Sequence, residues 1–164
     1  MANLDRPRGL EPYGAVLRVS PYTAGSAIYP GDPVALAADG KLDRSAGDAL
    51  IGVAASYASA DGAEVLVYDH PDQLFIIQSD DASIASVNDY GGNFDITLGS
   101  ADTTFKKSQS ELDGDTSDAH SAADNPLKLI RIEETVNNAF GANVDCVVKL
   151  NKHQLGEGAV SAAV

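Results

Sequence analysis

Tryptophan is missing from this 164-residue chain, methionine and cysteine occur once each, and aromatic residues reach only 6%. Each shortage removes a class of function. Without Trp, a sugar platform of stacked indoles is excluded, although tyrosines could substitute. One Met excludes a pliable Met-lined groove. Cys146 alone forbids an intramolecular disulfide. No apolar run approaches the ~20 residues of a membrane-spanning helix, and the N-terminus has no apolar leader, so the chain is expected to be made in the cytosol and to be soluble. Basic residues are also scarce: 11 Lys and Arg stand against 24 Asp and Glu, for a net charge of −13.

The deficit is concentrated. Residues 1–57 carry six acids against five bases, residues 126–164 carry four of each, and residues 58–125 carry fourteen acids against only Lys106 and Lys107. Phosphate binding needs clustered Lys and Arg, so a direct nucleic-acid role is not expected. The acidic third either faces solvent while the near-neutral ends face partners, or serves solubility alone.

The first fourteen residues, MANLDRPRGLEPYG, hold Pro7, Pro12, Gly9 and Gly14 but only Leu4, Leu10 and Tyr13 as large apolar groups. Proline fixes φ, removes a donor and biases its predecessor to extended geometry. Residues 1–14 are therefore expected to form an extended arm outside the core, with Arg6 and Arg8 giving it a charge opposite to that of the body. Either it docks on another subunit or surface, or it is a floppy terminus.

From residue 15 to 153 the apolar pattern alternates as in strands. Residues 15–19 read as a strand ended by Ser20 and Pro21. Asp39-Gly40 reads as a hairpin turn, as does Asp61-Gly62. Gly52, in an apolar run, suggests a bend or close backbone approach. Residues 64–68 and 73–78, around Asp69-His70-Pro71-Asp72, read as the clearest hairpin. Ser79 to Asp81 are expected to cap a helical turn carrying Ile84 and Val87. Further strands are expected at 94–98, within 104–112, at 127–132 and at 144–150, with a polar loop at 113–125 and a flexible tail at 154–164. Eight or nine short strands with turns every 8–12 residues predict an all-β fold with little helix, a small antiparallel barrel or sandwich.

Little in the chain demands catalysis, a metal or a cofactor. His70, His120 and His153 show no metal-ligand spacing. The Asp-His-Pro-Asp segment is explained by turn chemistry, and Cys146, mid-strand among valines, by burial. Asp113, Asp115, Ser117, Ser121 and Asp124 match calcium-loop positions, but Asp118 replaces the required glycine and no helices flank the loop.

The opening MANLDRPRGLEPYGAVLRV, the stretch YPGDPVAL, the segment VYDHPDQLFIIQ and the closing DCVVKLNKHQLG together resemble head decoration, or cement, proteins of tailed bacteriophages. The resemblance spans Ala2 to about Gly156 and rests on phrase-like runs, not on a catalytic signature. It implies a β-rich virion protein on the outer capsid surface, a homo-oligomer with a trimer favoured, that clamps neighbouring major capsid subunits. It implies no enzymatic activity, nucleic-acid partner or membrane. On this expectation Leu4, Leu10 and Tyr13 bury apolar area on the partner, Arg6 and Arg8 pair with carboxylates, Pro7 keeps the arm extended, and deletion of residues 2–12 leaves the body folded. The alternatives are a tail or connector component, a glycan-binding module or a small hydrolase.

Overall fold

The computed structural model describes residues 3–47, 49–82, 84–114 and 123–156. Nearly all regular structure in them is β. The strands are β1 (Glu11–Tyr13), β2 (Val19–Thr23), β3 (Pro33–Leu36), β4 (Leu42–Arg44), β5 (Gly52–Ala54), β6 (Glu64–Tyr68), β7 (Leu74–Gln78), β8 (Asn93–Thr97), β9 (Glu111–Asp113), β10 (Leu127–Ile132) and β11 (Asp145–Leu150). They form two antiparallel sheets. One has six strands in the order β1-β7-β11-β10-β8-β9, the other five in the order β2-β6-β5-β3-β4.

Each sheet curls until distant strands meet at a single residue pair. Ala24, just after β2, bridges Leu42 of β4, and Ser79, just after β7, bridges Leu112 of β9. Neither contact extends into a ladder, so the sheets do not close into barrels, and the architecture fits an all-β sandwich. Two apolar cores result. Phe75, Ile77, Leu127, Leu129, Cys146 and Val148 anchor the six-stranded side. Ile28, Val34, Leu42, Ile51, Val65 and Val67 fill the five-stranded side. The alternation read from sequence produces this: Val65 and Val67 are buried while their strand neighbours Glu64 and Leu66 are exposed.

Several expectations hold locally. Asp39-Gly40 turns β3 into β4, with Gly40 at φ +77°. Gly52 does mark a close approach, because a Cβ there would lie 2.2 Å from the Tyr68 carbonyl oxygen. Cys146 is buried, and burial, with a smaller contribution from Asp145, pushes its thiol pKa well up.

Others need correction. The segments around Asp69–Asp72 are not a hairpin, for β6 and β7 belong to different sheets. The turn is a corner because its polar side chains are used inward. Asp69 and Gln73 are buried and hold the N-terminal segment instead of solvent. Residues 15–18 are not strand. The strand is Val19–Thr23 and contains Pro21, which an edge position tolerates because one side of an edge strand has no ladder to lose. The helical turn is a single 3₁₀ turn, Val87–Asp89, capped by Ser86 in a capping box with Asp89, not by residues 79–81. Of residues 104–112 only the end, from Glu111, is strand. The body also runs past 153. The Gln154 side-chain amide accepts from Leu36 N at 2.8 Å and donates to Leu36 O at 3.3 Å.

Candidate functional site along the N-terminal segment

The segment expected to stand apart from the body is laid along it. Its middle is the anchor. At φ +73°, Gly9 leaves no room for a side chain, since a Cβ would sit 2.6 Å from both Gly31 O and Ser108 Cβ. That close approach lets Gly9 N donate to Ser110 O and Leu10 N to Gly31 O. Leu10 then enters the larger core, where it is 1% exposed. The next residues, β1, pair antiparallel with β7. A segment poor in apolar residues cannot build a core, but one leucine is enough to lock it into a core built by others.

Two glutamines at the ends of β7 extend this anchorage in both directions. Gln78 accepts from Arg6 N at 2.6 Å and donates to Leu4 O at 2.9 Å. Gln73 accepts from Leu17 N at 2.9 Å and donates to Ala15 O at 3.2 Å. Each side-chain amide replaces a rung of backbone ladder, satisfying an N–H and a C=O two residues apart. Asn3 adds a further tie, donating to Ala139 O and Ala142 O and accepting from Ala139 N.

Charge reinforces the docking. Arg8 meets Glu11 at 3.2 Å and Asp145 at 3.0 Å, so the opposite sign of arm and body is used first within the chain. Beyond β1, Arg18 binds Asp69 at 2.7 Å and Tyr22 OH donates to the other carboxylate oxygen at 2.8 Å. Burial pushes Asp69 upward, but Arg18, Tyr22 and Ser20 outweigh it and hold the carboxyl below the usual range. Burial and the same carboxylate push the Tyr22 phenol up to about 12.

The six residues singled out from sequence therefore divide. Leu4, 64% exposed, and Arg6 face outward, while Pro7 and Arg8 are half-buried along the docked arm. Leu10 is a correction: it packs in its own core and offers nothing to a partner. Tyr13 is half-used, its hydroxyl accepting from Arg131 and its ring lying 5.6 Å under the same guanidinium. An open groove of about 800 Å³ runs between Asn3–Arg8 and the loop carrying Thr135, Asn137 and Asn138. Sequence reasoning missed Gln73 and Gln78, although their position bracketing an apolar strand was visible. It also assigned Val16 and Leu17 to a strand, whereas both are about half exposed beside the Gln73 clamp.

Among the other candidate groups, His70 Nδ1 accepts from Asp72 N, as turn chemistry predicts. His153 is buried, with its Nδ1 accepting from Leu155 N. No metal-ligating cluster occurs among the described residues. Residues 115–122, with His120 and most of the calcium-like pattern, lie outside them. No protein-family model matches the chain, and no curated protein matches it significantly.

Proposed function

We propose that this chain is a structural protein of a tailed-phage virion that binds the outer surface of the head and ties neighbouring major capsid subunits together, acting as a homo-oligomer with a trimer favoured. The sequence runs that resemble those of decoration proteins suggest the class. The observation that carries the proposal is the stapled N-terminal segment. It is extended, held at both flanks by Gln78 and Gln73, and turns Leu4, Arg6, Val16 and Leu17 to solvent.

Such a segment suits a clamp. Because it is already ordered, docking loses less conformational entropy than folding a free arm would. The edge strands β1 and β2 contain Pro12 and Pro21, which blunt strand addition, so contact runs through side chains. Weak side-chain contacts repeated over a capsid lattice gain strength through multivalency.

The test is the copy number of the chain in purified phage particles, by quantitative mass spectrometry against the major capsid protein. A lattice-scale ratio supports decoration. A handful of copies reassigns the chain to the tail or connector, and absence from the particle rejects a virion role.

A further inference from the structure

A second exposed feature lies next to the anchor of the N-terminal segment. Residues 102–107 form a tight loop in which Asp102 N donates to Lys107 O at 2.8 Å and Lys107 N to Asp102 O at 3.1 Å. The Asp102 carboxylate accepts from both Thr104 N and Phe105 N, at 2.9 and 3.0 Å. Lys106 adopts φ +54°, a left-handed conformation that side chains larger than glycine rarely take. The base is seated firmly, since Ser108 N donates to Pro30 O and the Ser108 side chain packs against Gly9. Yet this rigid loop leaves Phe105 77% exposed.

Its surroundings have a definite chemistry. Lys106 Nζ lies 5.0 Å from the centre of the Tyr57 ring, and no carboxylate among the described residues pairs with it. Lys107 Nζ is 3.8 Å from Glu11, the residue that also holds Arg8. These two lysines are the only Lys or Arg residues between residues 58 and 125, against fourteen acids. Within this acidic third the two lysines make the Phe105 loop the local cationic spot, the place for an acidic partner to approach. An exposed aromatic side chain on a hydrogen-bonded loop, flanked by cations, has the composition of a binding anchor, where truncation of a central aromatic commonly costs tenfold or more in affinity.

The geometry points to the Phe105 loop as a docking knob that inserts into an apolar pocket rimmed by carboxylates on the partner protein, with Lys106 and Lys107 pairing to the rim. That the partner is the major capsid protein rests on the capsid reading above. The test is sedimentation of the full chain with purified heads from which it has been genetically removed, at two salt concentrations. Phe105→Ala and the double change Lys106→Glu with Lys107→Glu are compared with wild type, and thermal melts confirm that each folds. We expect Phe105→Ala to weaken binding at least tenfold. The double lysine change should weaken it too, most at low salt. Wild-type binding that Phe105→Ala matches within twofold overturns the knob and leaves the capsid reading standing. Failure of the wild type to bind heads overturns both. Binding of a dT oligonucleotide that is lost with Phe105→Ala assigns the loop to single-stranded nucleic acid instead, and also overturns the proposal.

Discussion

Leu10 and Leu4 lie on one extended segment and contribute oppositely. Leu10 fills space in the larger core, and Leu10→Ala removes its contacts without closing the gap, so a loss of about 2–5 kcal/mol in urea denaturation is expected. Leu4→Ala, at an exposed site, should stay within about 0.5 kcal/mol. Two titratable groups give opposite pH signatures. Burial holds the His153 imidazole below its ordinary value of 6.5, against smaller opposing effects of the Ile51 and Asp69 backbones. A base depressed in the fold contributes stability above pH 6.5 that is lost as pH falls below it, and His153→Gln should flatten that decline. Burial first, then Asp5 and Asp80, raise Glu111 above its ordinary 4.5, so its carboxylate form is disfavoured in the folded chain. Glu111→Gln should therefore raise the melting temperature near neutral pH, and the gain should vanish below about pH 4.5 as the wild-type side chain protonates. A gain that persists in acid would mean that charge is not its cause.

At the scale of elements, β7 organises the N-terminal segment through its two terminal amides. Gln78→Leu should remove the acceptor for Arg6 N and speed hydrogen exchange at that amide, leaving the Leu17 amide protected by Gln73. Gln73→Leu should do the reverse. Equal exchange at both sites in either variant would show that the flanks are not held separately. These clamps also explain what the sequence could and could not disclose. Alternation within 64–68 and 74–78 was legible because each strand buries one face, and Asp39-Gly40 because a tight turn needs its own residues. That β6 and β7 lie in different sheets was not legible, since a corner and a hairpin use the same Asp, Pro and Gly. The difference lies in where Asp69 and Gln73 send their hydrogen bonds, to residues 15–22, far away in sequence. The exposed half of the candidate site, Leu4 and Arg6, was readable from composition. The burial of Leu10 was not, because it depends on the gap that Gly9, Gly31 and Ser108 create together.

For the whole molecule, the N-terminal segment is the seam between the sheets, supplying the edge strand β1 to one and β2 to the other. Its parts should then fail in order of how deeply they are set. A chain beginning at Gly9 loses the Asn3 and Arg8 contacts, on part-exposed groups, and opens the buried Gln78 amide to water, a loss partly offset by regained chain entropy. A cost of about 1–2 kcal/mol is expected, with both sheets intact. A chain beginning at Tyr13 also loses Leu10 and most of β1. It should be weaker by roughly a further 2–5 kcal/mol, which a domain of ordinary marginal stability tolerates poorly. The deletion of residues 2–12 that the sequence recommends would confuse loss of binding with loss of fold. The shorter truncation separates them, provided its urea transition remains single and cooperative. If the two truncations prove equally stable, the segment is not seated through Leu10, and docking through residues 3–8 carries the seam instead.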